Sequence, residues 1–409
     1  MSHTTTKNPL NIVVIVAALG YFVDIYDLIL FLMVRVSSLT DIGITSDAEL
    51  KSKGIALINI QMLGMLLGGI VWGILGDKKG RLSALFLTIL LYSLANIANG
   101  FATTYEQYLW FRFIAGFGLA GELGIGITLV SEVMTKESRG YGTSIVSGFG
   151  IAGAVLAFFI AKLGWREAYW SGGILGLLLL ALRIYVHESG MFGKIKEQAI
   201  KRGDFFSLFK DKKKFLKYLY CILIGIPVWY VIGMMVGFSK ELAKAMNIQG
   251  DINLATAVMF HYVGASLGSL LIGFISQKLF SRKKALLIAL FSLSILSIAY
   301  YSSFGCSYQY FYFIIFMLGL AQGYWAVFVT VASEQFGTNI RSTVTTTVPN
   351  FVRGAVPVMT ISWGLMDKNL GMGIWKSAIF IGIFFVSLAI FSVFKLEETY
   401  HRDLDYIEP

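Results

Sequence analysis

The sequence predicts an all-α membrane protein with twelve transmembrane helices, arranged as two pseudo-symmetric six-helix bundles. Of the 409 residues, 56% are hydrophobic and only 14% are charged, whereas ordinary soluble domains are about a quarter charged. Apolar runs of about 20 residues, the length that a membrane-spanning helix needs, recur along the whole chain. Motifs at the end of the fourth run reappear roughly two hundred residues later, which indicates an internal repeat.

The apolar runs are continuous rather than alternating, which favours helices over the strands of a membrane barrel. The first residues lack the charged region and the cleavage site of a secretory signal, so we expect the first span to be retained. The predicted spans, in order, are 11–34, 54–75, 82–100, 107–131, 141–163, 167–187, 216–238, 254–276, 285–303, 309–331, 344–365 and 373–394.

The longest polar interruption, residues 188–215, is predicted to be a basic cytoplasmic linker. It carries eight Lys or Arg residues against four Asp or Glu residues, and basic loops stay on the cytoplasmic side of a membrane. It separates an N-terminal bundle, 1–187, from a C-terminal bundle, 216–409. Counting spans from the linker places both termini in the cytoplasm, on the same side as the basic loops at 77–81 and 278–284.

Several other classes of function find no support in the sequence. Cys221 and Cys306 fall in or beside apolar runs, and we interpret them as small hydrophobic residues rather than as a disulfide or a metal site. The net charge of +10 resides in the loops between spans, which argues against a nucleic-acid surface. No strand precedes a Gly-x-Gly sequence and no Walker sequence occurs, so neither nucleotide binding nor another cofactor is expected. No arrangement of nucleophile and base predicts an enzyme.

Ionisable residues stand at predicted mid-membrane depth, where each charge costs about 2.5–3.5 kcal/mol and tends to be functional. Asp24 and Asp27 lie one helical turn apart in the first span, and Glu122 lies near the middle of the fourth. Desolvation and mutual repulsion favour their protonated forms, so they are candidate proton carriers, with Asp27 first, Glu122 second and Asp24 third. The alternative is an acid paired with Arg112 that only holds the bundle together.

Arg353, near the middle of the eleventh span, is the leading candidate for binding an anion. A fixed guanidinium can hold a carboxylate through two hydrogen bonds, and Arg112 can do the same from the outer side. Aromatic and amide side chains at similar depth suit an organic ligand, although each is more often a packing residue. The further substrate-binding candidates are Tyr324, Gln322, Gln61, Tyr230 and Asn350.

The loop GILGDKKGR, residues Gly73–Arg81, resembles the G-x-x-x-D-[R/K]-x-G-R motif of the major facilitator superfamily. A decayed copy follows the eighth span, and the Ser-Glu…Arg ending of the fourth span recurs after the tenth, as Ser333, Glu334 and Arg341. In that superfamily two parallel repeats of six spans rock around a central path. The resemblance implies a cytoplasmic latch, stronger in the first half, formed by Asp77, Arg81, Glu132 and Arg139.

Two more stretches resemble the proton symporters of metabolites and aromatic acids within that superfamily. They are GLAGELGIG in the fourth span, where Ala120 replaces a usual glycine, and Asp24-Ile-Tyr-Asp27 in the first. The resemblance implies a monomeric importer of a small organic anion in the bacterial inner membrane, with protons and lipid as partners. A proton-driven exporter, a carboxylate-siderophore transporter, an uncoupled facilitator and a membrane sensor are the alternatives.

Overall fold

A computed structural model of the chain describes residues 8, 10–182 and 202–408. Within these ranges the chain is mainly α-helical, with one π-helical segment, turns, irregular segments such as 396–408, and an isolated bridge between Gln249 and Ser307. The predicted linker falls partly on residues 183–201, which lie outside the described residues. We refer to 10–182 and 202–408 as the first and second halves.

The helices of the first half follow the predicted spans, and the fourth and fifth spans are each interrupted. The fourth breaks at Ala120–Gly121 and the fifth at Ala152. In order, the helices are α1 (Ile12–Asp41), α2 (Asp47–Lys79), α3 (Arg81–Gly100), α4 (Tyr105–Leu119), α5 (Glu122–Val133), α6 (Arg139–Ile151), α7 (Gly153–Ile160) and α8 (Trp165–Leu182). Gly80, which joins α2 to α3, has a φ of 113°, a conformation that favours glycine and explains the glycine of the GDKKGR loop.

The second half repeats this pattern, including a break in its fourth span at Gly323–Tyr324. Its helices are α9 (Ser207–Lys210), α10 (Lys212–Tyr230), α11 (Ser239–Ala245), α12 (Leu254–Lys278), α13 (Arg282–Tyr301), α14 (Tyr308–Gln322), α15 (Trp325–Gln335), α16 (Arg341–Asn369) and α17 (Ile374–Lys395). The π-helical segment, Val231–Val236, continues α10 directly.

Ten helical spans in the described part of the chain are long and apolar enough to cross a membrane. They coincide with ten of the twelve predicted spans. The eleventh span is helical as α16, and so is the described part of the sixth span, as α8. The first half of α16 is polar, with a run of threonines followed by Asn350 and Arg353. These side chains are buried against other helices, so their polarity does not meet lipid.

Contacts between helices in the first half recur in the second half about 200 residues later. Gly64 of α2 faces the backbone of Phe113 in α4, and Gly264 of α12 faces the backbone of Phe316 in α14. At both places the missing Cβ lets two backbones touch, as is typical of helix packing in membranes. The equivalence agrees with the predicted repeat.

Two seams of small residues join the halves. In one seam Gly73 of α2 faces Thr343 of α16, and in the other Gly273 of α12 faces Ser144 of α6. Both seams lie toward the same end of the molecule. We call this end, which carries Asp77, Glu132, Glu334 and Arg341, the latch face.

Candidate functional site

Asp24, Glu122 and Arg353 are electrostatic neighbours in the interior, and each is at most 1% exposed. The electrostatic neighbours of Asp24 are Arg353 and Glu122. Asp24 belongs to α1, Glu122 opens α5 directly after the break in the fourth span, and Arg353 belongs to α16. The group therefore joins the two halves, and we call it the central cluster.

Arg353 is held by Asn350 and flanked by aromatic rings. Its Nη1 donates to Oδ1 of Asn350 at 3.0 Å. The guanidinium carbon lies 6.0 Å from the ring centre of Trp229 and 5.8 Å from that of Trp325. Nε1 of Trp325 donates across the halves to the hydroxyl of Tyr21 at 3.0 Å. Nε of Arg353 has no hydrogen-bond partner in the described part of the chain, so this cation has a donor available for a planar carboxylate.

Asn350 connects Arg353 to the break in the fourth span. Its Nδ2 donates to the carbonyl of Ala120, in the other half, at 2.8 Å, and to the carbonyl of Thr346 at 2.7 Å. Both the oxygen and the nitrogen of the amide thus form hydrogen bonds with protein groups. Asn350, predicted as a substrate contact, therefore lies at the central cluster with its amide bonded to Arg353, Ala120 and Thr346.

Asp27 and Arg112 form a second buried group, which we call the α1–α4 cluster. Arg112 is the strongest electrostatic neighbour of Asp27, and Asn96 of α3 lies near the carboxylate. Neither carboxylate oxygen of Asp27 has a hydrogen-bond partner among the described residues. The carboxylate packs on Gly172 of α8, where any Cβ would collide with it. All of these residues belong to the first half, so this cluster, unlike the central one, does not cross between the halves.

Arg112 is surrounded by rings rather than by acceptors. Its guanidinium carbon lies 5.4 Å from the ring centre of Phe31 and 5.6 Å from that of Tyr169. None of its three nitrogens has a hydrogen-bond partner among the residues that the structure describes. A buried guanidinium without acceptors next to a buried acid is a group whose pairing can change with protonation.

Gln61 and Gln322 are buried amides with unused polar atoms. Nε2 of Gln61 and Oε1 of Gln322 have no hydrogen-bond partner within the described ranges. Gln61 lines a small cavity of about 30 Å³ between the halves, together with Trp229. That volume holds one or two water molecules. The cavity also reaches Arg35, near the end of α1, so it lies on the side of the central cluster away from the latch face.

The hydroxyls of Tyr230 and Tyr324 are engaged elsewhere. Tyr230 bonds the hydroxyl of Tyr301 at 2.9 Å and the carbonyl of Ala378 at 3.0 Å, and Tyr324 donates to the carbonyl of Ile224 at 3.0 Å. The structure therefore does not bring these two predicted contacts to Arg353. Trp229 reaches it instead, because successive residues of a helix point about 100° apart.

The latch face holds two ionic clusters of the same design. In the first, Glu132 at the end of α5 accepts from Arg81 of its own half at 2.9 Å and from Arg341 of the other half at 3.0 Å. Arg81 also lies 3.5 Å from Asp77. All of these side chains are at most 1% exposed. The predicted group of Asp77, Arg81 and Glu132 is brought together, and Arg341 completes it.

The second cluster is the repeat of the first. Glu334 at the end of α15 pairs with Arg282 of its own half at 3.2 Å and with Arg139 of the other half at 2.9 Å. The resemblance grouped Arg139 with Glu132, and the structure corrects this, because Arg139 crosses to Glu334. The Ser-Glu…Arg repeat was the sequence signal for this arrangement, since each arginine reaches the glutamate of the opposite copy.

Each cluster includes a side chain that caps a helix of the other half. Asp77 accepts from the backbone N–H of Ser342 at 3.1 Å and of Thr343 at 2.8 Å, at the start of α16. Gln277 occupies the equivalent place, and with its amide oxygen toward α6 it accepts from Gly140 and Tyr141 at 3.1 and 3.2 Å. A carboxylate interacts more favourably than an amide with a helix N-terminus, so the first cap carries the additional electrostatic stabilisation.

Replacing Asp77 with alanine is expected to open the latch more than replacing Gln277 does. Loss of a charged cap costs about 1–2 kcal/mol. A cost of this size raises the population of the open latch, relative to the closed latch, about 5–30-fold. The measurement is the alkylation rate of a Thr345→Cys probe between the halves, in a variant without Cys221 and Cys306. Equal acceleration by Asp77→Ala and Gln277→Ala would contradict the role of the charge.

The C-terminal segment 396–408 lies across the latch face and contacts both halves, an arrangement that the sequence analysis did not predict. Glu398 caps the start of α13. Burial opposes its ionisation, but hydrogen bonds from the Ser281 hydroxyl and the N–H groups of Arg282 and Lys283 keep the pKa of this carboxyl below its usual value. Farther along, the carbonyl of Arg402 accepts from Arg139 and the carbonyl of Leu404 accepts from Arg341, both at 2.6 Å. Two ion pairs follow, Asp403 with Lys136 at 2.8 Å and Glu408 with Lys217 at 2.9 Å.

Comparison with known proteins identifies the family. Residues 10–357 match the sequence model of the Major Facilitator Superfamily. The chain belongs to this superfamily. A probable 4-methylmuconolactone transporter of Cupriavidus pinatubonensis is 25% identical over 395 residues, covering 93% of this chain and 89% of the relative. A benzoate transport protein of Acinetobacter baylyi is 25% identical over 332 residues, covering 70% of this chain and 69% of the relative.

A solved structure shows the same fold. It is that of the proton:xylose symporter XylE bound to 6-bromo-6-deoxy-D-glucose, with a TM-score of 0.76 over 96% of this chain and 97% of that one, at 18% identity. The family and the relatives confirm the predicted class, a multi-pass membrane transporter of a small molecule rather than an enzyme. They also confirm the resemblance of this chain to transporters of metabolites and aromatic acids.

Proposed function

We propose that this transporter imports a small organic anion of the carboxylate class together with protons, by alternating access in the bacterial inner membrane. The observation that carries the proposal is the central cluster, in which one guanidinium and two carboxylates are buried between the halves. Trp229 and Trp325 beside Arg353 suit the apolar body of an organic acid. Benzoate, named for one relative, is such an anion.

The charges of the central cluster connect anion binding to protonation. Asp24 and Glu122 can carry two negative charges against the one positive charge of Arg353, and an excess of buried charge is costly. The cluster is therefore expected to hold one proton before substrate arrives. A bound carboxylate adds a second negative charge, which favours uptake of a further proton by a neighbouring buried acid, and Asp27 is an electrostatic neighbour of Asp24. Anion and proton then bind together, as symport requires.

The α1–α4 cluster is proposed to carry the coupling proton. Protonated Asp27 leaves Arg112 without an anionic neighbour of its own, and deprotonation restores the attraction between them. This change lies inside the first half, next to Asp24 of the central cluster. The charge of Asp27 can therefore act electrostatically on the substrate site without a direct contact between Asp27 and the substrate.

The latch face is proposed to be cytoplasmic, since basic loops remain on that side. It carries four lysines between Lys210 and Lys214, and the loop with Lys78 and Lys79. In the described state both ionic clusters are closed, so substrate is expected to enter from the opposite face. Inward release then requires separation of the seams and of the crossed Glu–Arg pairs.

The proposal is tested with purified protein in vesicles under an imposed pH gradient, at a pH where benzoate is ionised. We expect labelled benzoate to accumulate in the alkaline vesicle interior and the interior to acidify, with empty vesicles as the measure of passive permeation. Flux that leaves the internal pH unchanged would identify an uncoupled facilitator. Proton-driven efflux would identify an exporter, and equal transport of neutral benzamide would remove the anion from the proposal.

A further inference from the structure

A basic cavity of about 480 Å³ lies on the latch face, where α10 begins and α17 ends. It belongs to neither the central cluster nor the α1–α4 cluster. Leu216 and Tyr220 of α10 give it an apolar side. Its cationic lining consists of Lys213, Lys214, Lys217, Lys395 and Arg402.

The carboxylates of this cavity already have partners in the protein. Glu408 pairs with Lys217 at 2.9 Å, and Glu397 lies 3.7 Å from Arg402. Asp211 caps α10 by accepting from a backbone N–H at 2.8 Å. Three carboxylates against five cations leave the cavity with two positive charges, so an anion is the ligand that it favours.

The position of the cavity selects an amphipathic anion. Both α10 and α17 belong to spans long and apolar enough to cross a membrane, and the cavity lies at their ends. Phe391 is 49% exposed on this side, its ring centre lies 6.2 Å from that of Tyr220, and Nζ of Lys395 lies 5.4 Å from it. Lysines that extend over apolar surface toward the interface are typical of the level of lipid headgroups.

We propose that this cavity binds the phosphate of an anionic phospholipid, whose acyl chains run along Tyr220 and Phe391. Lys217 also holds the C-terminal segment through Glu408. Arg402 belongs to that segment, and its backbone carbonyl accepts from Arg139 of the second ionic cluster. Neutralising the excess charge at this point stabilises the docked segment. The lipid is therefore a ligand of the closed latch, and it acts without occupying the substrate path.

The test measures the thermal unfolding midpoint of the purified full-length protein in detergent, without substrate, so the proposed transport function does not affect its outcome. Phosphatidylglycerol is expected to raise the midpoint by about 2 °C, the size expected for a chain of this length with a ligand at ten times its Kd. Phosphatidylcholine is expected to leave it unchanged. The variant Lys213→Gln/Lys395→Gln is expected to lose the shift, and Lys213→Arg/Lys395→Arg to keep it.

The matched control is Lys278→Gln/Lys284→Gln, which removes two exposed charges from the same face outside the cavity. It is expected to keep the response to phosphatidylglycerol. An equal loss in this control would overturn the proposal, since it would show general surface electrostatics. An equal shift with phosphatidylcholine, or with inorganic phosphate at the same concentration, would also overturn it, because the ligand would then be any lipid or the free ion.

Discussion

Lysine in place of Arg353 is expected to raise the KM for a carboxylate substrate roughly tenfold, since one charge-assisted hydrogen bond contributes about 1.5 kcal/mol. Lysine keeps the positive charge that Asp24 and Glu122 require. Its ammonium group cannot offer two parallel donors to a carboxylate. It also cannot donate to Asn350 while it binds a carboxylate in the geometry that the planar guanidinium provides. The measurement is the KM of counterflow in vesicles, together with the Kd from ligand-dependent thermal stabilisation.

The control for this exchange is Arg166→Lys, on the face opposite the latch. Arg166 forms a partly exposed ion pair with Asp41, and such pairs contribute about 0–1 kcal/mol. Its variant should therefore keep the wild-type KM. If Arg353→Lys also keeps the wild-type KM and Kd, Arg353 is not the anion site, and Arg112 becomes the remaining candidate.

Asparagine in place of Asp27 is expected to abolish uphill accumulation while substrate exchange continues. A pH difference of one unit corresponds to 1.36 kcal/mol, enough for about tenfold accumulation with one proton per anion. The variant should accumulate no more substrate than empty vesicles do. Exchange survives because the α1–α4 cluster lies inside the first half and does not contact Arg353. The measurement compares accumulation with exchange in the same vesicles.

Asp24→Asn and Glu122→Gln provide the matched comparison for Asp27→Asn. Both residues belong to the central cluster with Arg353, so these variants are expected to change substrate affinity as well as coupling. If Asp27→Asn loses coupling at unchanged substrate affinity, whereas the two central-cluster variants change both, the α1–α4 cluster is identified as the coupling site. Full proton-coupled uptake by all three variants would remove the carboxylates from the mechanism.

Much of the fold could be predicted because the bilayer imposes it. Apolar runs of the required length, with basic loops between them, predicted the spans in which the helices lie. The ionisable residues at mid-depth were informative for the same reason, since an insertion cost of this size selects for function. All of them are buried within the protein, Asp24 and Arg353 at the boundary of the halves and Asp27 within one half.

The division of these charges into two clusters could not be predicted. Asp24 and Asp27 lie one turn apart on α1, and sequence spacing alone does not indicate which helix each one faces. The crossing of Arg139 and Arg341 to the glutamate of the opposite half depends on tertiary packing. Tyr230 was predicted at the site by its depth, but its direction around α10 takes it to Tyr301.

The bond between Asn350 and the carbonyl of Ala120 has a consequence for the solvent. It joins opposite halves near the middle of the predicted fourth and eleventh spans, so a movement that parts the halves at this depth must break it. A buried carbonyl left without a donor costs about 1–3 kcal/mol, and hydrocarbon supplies none. The parted state must therefore be wetted at this depth, and conditions that withdraw water, such as a high concentration of an excluded osmolyte, should slow the parting of the halves.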